Sequence, residues 1–579
     1  MRRFYSFSKR YVKPYAWWYI GGFALVAVTQ FLAVAIIEVT RNAIDAFELQ
    51  GPTSEIIWTS LVRIALLATG MILIRITSRL LVFTPGRLIE YRVRNDYFSR
   101  LLYLTRVFYR NHETGDLVSR CSNDIGYVRA AYGYAFLQVA NVGTAFALGI
   151  GAMLRMDVRM TVTLAIPMLI AFVIIQSSIQ YMFGFWRVAN TQLGQLSSLC
   201  LASYKGVSAV QSYCAEPAFE RAFLESNQNY LHTNMTLTKV RAFIMPLVQV
   251  VGNLAAFLVL WLAGSRAIDG QVTMGEITAF MGYIAMVMPP LLSLGWMLNV
   301  FNRAVPAMER LDEILLAEIE PESITSPQDQ PSLPLVVNHL QWQYSDSEKV
   351  LDGIQFSLEP GKVMGIVGAV GSGKTTLIET ILRLNDPDRG SVFVGDHDAR
   401  DFRLNEYRSM FSFAPQKAFL FSATLRENLL VALGAELDSK DHDEQLIQTL
   451  DLCGFDLDPD VFPEGLDTQV GEKGIMLSGG QRQRISLTRA LLKNADVYVL
   501  DDVLSAVDHE TEQRIIANLK SFAKNRCVVI ASHRVSAVKW ADQILVLNQG
   551  KTEAMGTHEE LMALPGYYQS IAKAQQDSA

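Results

Sequence analysis

A chain of 579 residues, half of them hydrophobic and 19% charged, is too long for one core and too apolar to be disordered. The formal net charge of −6 is mild, and no basic run marks a nucleic-acid surface, so no nucleic acid is expected as a partner. The five cysteines at 121, 200, 214, 453 and 527 lie far apart without a CxxC pair, so neither a disulfide framework nor a thiolate metal site is expected.

The chain opens with Arg2, Arg3, Lys9, Arg10 and Lys13, a cation excess that prefers the cytoplasmic side of a membrane and places the N-terminus there. Five segments then run uncharged for about 20 residues or more, enough to cross about 30 Å of hydrocarbon: 16–37, 133–154, 160–182, 242–265 and 277–302. A sixth, 65–83, carries Arg75 and Arg79 and is read as a span partly from its place between neighbours. Intramembrane arginines must find a partner, water or an anionic ligand, unless they snorkel or lie in a cytoplasmic extension of the helix. The first apolar stretch is long enough to span and others follow, so a membrane helix is expected there and not a removed leader. Six spans return the chain to the cytoplasm.

Residues 83–133 and 182–242 form long excursions on the cytoplasmic side, with helical periodicity and one break each, around 109–120 and 204–220. From their periodicity alone these breaks are either contact elements or ordinary solvated turns. In the last span, Pro289 and Pro290 remove two helix N–H donors and predict a kink. Met281, Tyr283, Met286, Met288 and Trp296 nearby suit either a broad apolar ligand or helix packing. An amphipathic helix follows Asn302, then a Pro-rich linker over 321–334. From Leu335 short β-rich runs alternate with helical stretches, the pattern of an α/β domain with a largely parallel sheet.

The strongest motif starts at Gly368 and continues through Gly371, Ser372, Gly373, Lys374, Thr375 and Thr376, between the strand run VMGIV and a helical run. Such a loop lets backbone N–H groups close around phosphates, Lys374 reach the β/γ phosphates, and Thr375 ligate Mg²⁺. Downstream, the buried run VYVL ends in Asp501, where P-loop proteins place the acid that holds the Mg²⁺ shell. Between them lie Leu477, Ser478, Gly479, Gly480 and Gln481, opening a helix that carries Arg482, Arg484 and Arg489. A Ser hydroxyl with backbone N–H groups at a helix start forms a second anion site.

On these motifs the chain resembles the ATP-binding-cassette transporters, whose signature is LSGGQ. Residues 108–129, FYRNHETGDLVSRCSNDIGYVR, are similar to the first cytoplasmic loop of exporters with six helices. The resemblance implies an α-helical six-span transmembrane domain plus an α/β P-loop ATPase domain: a 1–15 elbow, a 16–318 transmembrane domain with two coupling loops, a 319–334 linker, and a 335–579 nucleotide-binding domain. It implies ATP and Mg²⁺ as cofactors, Tyr344 stacking on adenine, Gln416 as a Mg²⁺ or water ligand, and His533 near the γ-phosphate. By the same likeness, 468–474 is an exporter-specific segment and 505–508 a loop at the dimer interface. Two such domains pair head to tail, so Ser478 to Gln481 would serve the nucleotide held by a partner chain.

The residue after Asp501 is usually Glu in this family and is Asp502 here. With one methylene less its carboxylate falls about 1.5 Å short, and misplacement on that scale costs about 10²-fold in rate. The resemblance therefore implies a slow own site and a second half-transporter, non-identical and bearing Glu, as partner. Expected function is ATP-driven export of a hydrophobic or amphipathic substrate across the cytoplasmic membrane, with membrane lipid around the spans. A lipid flippase, an exporter-fold importer and a non-transporting regulator are the alternatives.

Overall fold

The computed structural model describes residues 2–51, 53–268, 271–320, 327, 333–344, 349–434, 436, 439–471, 477–505 and 507–576. Most of the expected linker, residues 472–474 of the exporter-type segment, and Ala506 lie outside the described residues. The chain divides into two compact units, Met1–Ile319 and Glu320–Ala579.

The first unit is helical. A short amphipathic α1 (Arg2–Tyr11) precedes α2 (Ala16–Gln50) and α3 (Ser54–Leu102). Next come α4 (Arg106–Asn111), α5 (Thr114–Ser119), α6 (Ile125–Ala130) and α7 (Phe136–Met156), the last three joined by π-helical turns at Arg120–Asp124 and Ala131–Ala135. The unit ends with α8 (Val158–Lys205), α9 (Val207–Ser212), α10 (Glu216–Ile268) and α11 (Met274–Leu315). Among the described residues, four helical runs are long and apolar enough to cross a membrane: Lys13–Leu49, Ser54–Leu102, Thr114–Met156 and Met274–Leu315. The second of these contains the arginine-bearing stretch. The remaining two expected spans fall within α8 and α10, at 48 and 53 residues.

Where the sequence suggests separate elements, the helices are longer. The amphipathic stretch after Asn302 is not a helix of its own but the end of α11, because Arg303 interrupts the apolar run without offering the backbone any reason to stop. Likewise α2 and α3 continue well beyond their apolar runs, and Thr53 caps α3 by accepting from the Ile56 N–H. The expected breaks are present: α4 gives way to α5 at His112 and Glu113, and α8 gives way to α10 through Gly206 and the short α9.

Side-chain chemistry fixes the helix ends to one another. Thr273 and Glu276 form a capping box at the start of α11. The same Glu276 accepts from Arg41 of α2 at 2.6 Å, and Asp45 accepts the Gly275 N–H at 3.0 Å. Asp157 caps α8 and pairs with Arg266 of α10 at 2.6 Å. At the other end of the bundle Arg310 makes a two-bond pair with the buried carboxylate of Asp124, at 2.6 and 2.8 Å. Arg120 bridges Asp116 and Glu313 at 2.8 and 2.7 Å. Large apolar side chains such as Trp17, Leu66, Phe243 and Trp261 face outward, the inverse of a soluble protein and the expected surface of one that meets lipid.

The second unit is α/β. Strands β1 (Leu335–Gln343), β2 (Lys349–Leu358), β4 (Val392–Val394) and β5 (His397–Asp398) make an antiparallel sheet in the order β2-β1-β4-β5. A six-stranded sheet runs β12-β11-β3-β10-β9-β6, comprising β3 (Val363–Gly368), β6 (Phe411–Ala414), β9 (Val497–Asp501), β10 (Cys527–Ser532), β11 (Gln543–Asn548) and β12 (Lys551–Gly556). All of its pairings are parallel except β11 with β12, and the short strands β7 (Ala423–Thr424) and β8 (Gln469–Val470) pair separately as an antiparallel ribbon. Strands β3, β9 and β10 are buried along their whole length, which is why each reads as an uninterrupted apolar run.

Candidate functional site

Parallel strands β6, β9, β10 and β3 deliver their C-terminal ends to one edge of the sheet, the place where open α/β sheets bind ligands. There β3 runs into the glycine loop, β9 ends at Asp501, β10 hands on to His533, and β6 leads to Gln416. These residues, with Gly371 to Thr376 and Asp502, line one cavity of about 300 Å³.

The loop's glycines have separate geometric reasons. A Cβ on Gly368 would lie 2.4 Å from both the Leu547 carbonyl oxygen and Ser372 Oγ. Gly371 and Gly373 adopt φ of +83° and +102°, a region side chains avoid. Helix Lys374–Ile381 starts directly after them, so its free N–H groups face the cavity. Ser372 Oγ is buried with no hydrogen-bond partner, and Lys374 Nζ turns back on the loop, donating to the Gly368 and Ala369 carbonyls at 2.7 and 2.9 Å. Burial lowers the Lys374 pKa, with Asp502 and Asp501 opposing. An orphaned hydroxyl, helix N–H groups and an ammonium held at the loop fit a polyphosphate.

Thr375 Oγ1 donates to Asp501 Oδ2 at 3.0 Å. Burial pushes the Asp501 carboxyl up to about 6; the Thr375 bond opposes this and the neighbouring Asp502 adds to it. A hydroxyl and a carboxylate in contact at the start of the helix are the oxygen pair that can hold Mg²⁺, whose charge would favour the ionised form of Asp501.

Asp502 is the most constrained residue of the group. It is a non-glycine at φ +51°, and its N–H bonds to the Ala531 carbonyl at 2.8 Å. Its carboxylate is held by three neighbours: Oδ1 accepts from His533 Nδ1 at 2.9 Å and from Ser532 Oγ at 3.4 Å, and Oδ2 from Gln416 Nε2 at 3.5 Å. Ser505 Oγ holds the Asp502 carbonyl at 3.0 Å and itself accepts from Gln483 Nε2 at 2.8 Å. Ser532 and Gln483 are thus supports that sequence reasoning missed, and Ser505, expected only as part of a dimer-interface loop, is a third. Their only signal was proximity to a motif, and Gln483 lies in a run of ordinary helical residues.

Two groups of expected site residues stand elsewhere. Tyr344 does not line the cavity; its phenol is 3.2 Å from Thr376 Oγ1, at the cavity's edge, and Val350 lines the wall instead. Ser478 to Gln481 form the exposed start of helix Gly479–Leu492, a capping box in which Ser478 Oγ accepts from the Gln481 N–H at 3.1 Å and Gln481 Oε1 from the Ser478 N–H at 2.8 Å. They are outside this cavity.

The chain belongs to the ABC transporter family, with a membrane region and an ATPase domain in one polypeptide. Residues 19–291 match the family model described as ABC transporter transmembrane region, and residues 351–505 match that described as ABC transporter. The chain is 32% identical to the ATP-dependent lipid A-core flippase of Pseudomonas fluorescens, over 83% of this chain and 79% of that protein. It is 29% identical to the multidrug resistance-like ATP-binding protein MdlA of Escherichia coli, over 96% of this chain and 94% of that protein. The structure of a bacterial Atm1-family ABC exporter with ATP bound superposes with a TM-score of 0.77 at 20% identity, covering 98% of each chain, and so shares the fold.

Proposed function

We propose that this chain is one half of an ATP-driven exporter of hydrophobic or amphipathic substrates. It binds MgATP in its own cavity and supplies Ser478 to Gln481 to the nucleotide of a second, non-identical half. The N-terminus and the ATPase unit are cytoplasmic in this reading, as the leading cations favour. Lys374, Ser372 and the loop N–H groups hold the triphosphate, Thr375 and Asp501 hold Mg²⁺, and Tyr344 borders the base.

The observation that carries the heterodimer is the state of Asp502. A general base needs a carboxylate within hydrogen-bond reach of water. Here the carboxylate is one methylene short, 8% exposed, and in contact with His533 and Gln416. Both facts predict slow hydrolysis at this cavity, whereas the signature start is an intact capping box free to serve a partner. The names of the relatives support export of drug-like or lipid-like molecules, and the flippase among them favours lipid as the second reading.

The test is ATPase activity of the full chain purified alone and together with a Glu-bearing half encoded beside it. The pair should hydrolyse ATP at least about tenfold faster than the lone chain. Robust turnover by the lone chain sinks the heterodimer. Failure of reconstituted pairs to move a dye or labelled lipid with ATP sinks the transport reading.

A further inference from the structure

A second cavity, of about 470 Å³, lies inside the helical unit between α2, α3, α7 and α11. Its wall is apolar except for two guanidinium groups, Arg75 and Arg79, and a polar strip that includes Gln30, Ser78, Gln138 and Asn141. Gln30 Nε2 donates to Asn141 Oδ1 at 2.5 Å, and Asn141 Nδ2 to Gln138 Oε1 at 3.4 Å, so the amides form a connected row across two helices.

Arg75 is too deep to be explained as a membrane-edge anchor. Between Arg63 and Arg87 of α3 the two arginines are the only charged residues. Arg75 stands inside the expected 65–83 span, about 15 and 12 Å of helix from its two ends at 1.5 Å per residue, beyond the reach of a snorkelling side chain, and Arg79 lies one turn further on at the same cavity. Among the described residues neither has a carboxylate partner: the bond Arg75 makes to another side chain is a 3.6 Å contact with Met71 Sδ, and no acidic residue lines the cavity. Spaced four apart, they share one face of the helix and repel each other unless an anion lies between them. Unpaired cations in a membrane span mark a pathway or a ligand site.

We infer that this cavity recognises the anionic head of the transported molecule, a phosphate, sulfate or carboxylate on an amphiphile, with Arg75 and Arg79 as its clamp. The inference rests on the export reading and narrows its substrate class. Guanidinium forks suit oxyanions in two-bond geometry. The row of amides supplies neutral hydrogen bonds to the rest of the head, and the apolar wall accepts the chain.

The test is binding to the full chain in phosphatidylcholine nanodiscs without nucleotide, using fluorescent phosphatidylglycerol and fluorescent phosphatidylcholine with the same tails. The anionic lipid should bind about tenfold tighter or more. Arg75→Gln with Arg79→Gln should abolish that preference, and each single substitution should reduce it. Arg75→Lys with Arg79→Lys, which keeps both charges, should retain part of it, and Arg63→Gln at the membrane edge should leave it intact. Displacement by taurocholate identifies a soluble amphiphile as an acceptable source of the head; displacement by unlabelled phosphatidylglycerol alone identifies lipid. Displacement by inorganic phosphate and by neither amphiphile overturns the assignment, as does a wild-type chain with no preference or single variants that keep it whole. If the head-group preference is missing while ATP still drives a neutral dye, this inference falls and export stands. If the preference is present while ATP moves nothing, export falls and the anion site stands.

Discussion

Lengthening Asp502 by one methylene is the sharpest perturbation the site offers. In the wild-type chain Oδ1 sits 2.9 Å from His533 Nδ1, and the left-handed turn at φ +51° holds the side chain against that ring. Asp502→Glu extends the reach of the carboxylate by about 1.5 Å from the same backbone, within the cavity that Asp502 already lines beside Gln416 and His533. Placement errors near 1 Å cost about 10²-fold, which corresponds to about 2.7 kcal/mol of barrier. Turnover by the lone chain should therefore rise about 10- to 100-fold, with ATP affinity unchanged because the loop and Lys374 are untouched. The added methylene enters a buried position and should cost about 1–3 kcal/mol of stability. The assay is vanadate-sensitive phosphate release by the full chain in nanodiscs, with nucleotide binding measured in parallel. A kcat within about threefold of wild type, in a variant that still binds ATP, would refute the claim that carboxylate reach limits this site. Equal turnover by wild type and Asp502→Asn would show that Asp502 is not acting as the base at all.

Three further outcomes follow from contacts at other places. Lys374→Ala removes the ammonium from the loop carbonyls, and by titration calorimetry ATP affinity should drop about 10-fold or more while AMP affinity holds. Gly368→Ala would press its Cβ against backbone at Leu547, so the melting temperature of the full chain should fall, by about 1–3 kcal/mol in stability terms; an unchanged melting curve would mean the loop relaxes freely. Glu313 has its carboxyl held below the ordinary 4.5, chiefly by Arg120, with burial opposing. A depressed folded pKa contributes stability that is complete above 4.5 and lost as pH falls through the folded value. The gap in melting temperature between wild type and Glu313→Gln should therefore be open at pH 7 and narrow as pH falls below 4.5, and it should be small because the Glu313 carboxylate is half exposed.

The parts of this molecule legible in the sequence are those where one residue type has one physical reason. Strands β3, β9 and β10 are buried on both faces, so uninterrupted apolar runs marked them. Gly368 to Thr375 could be read because a loop that tight tolerates little else, and the strand before and helix after were visible too. Helix ends were harder. Hydropathy reports contact with lipid, whereas helix propensity is indifferent to charge, so α11 runs through Arg303 and α3 through Arg87 where the apolar pattern stops. Tertiary contacts left no trace in the sequence: the Tyr344 hydroxyl on Thr376 and the row Gln30, Asn141, Gln138 join residues whose spacing carries no period.

Asp502 shows how the two kinds of reading combine. The missing methylene is a fact about reach, and by itself it allows a backbone that creeps forward to compensate. The left-handed turn and the bonds to His533 and Gln416 are facts about position, and they tether the carboxylate at the stretch of cavity wall these residues share. A backbone adjustment that restores reach works against the Asp502 N–H bond to Ala531, which closes the last step of the β9–β10 pairing. Losing that bond inside a fully buried sheet costs about 1–3 kcal/mol, on top of the His533 contact. Compensation by backbone movement is therefore opposed by the same packing that forms the site, and the slower hydrolysis proposed for this half rests on the shape of the site as much as on the identity of residue 502.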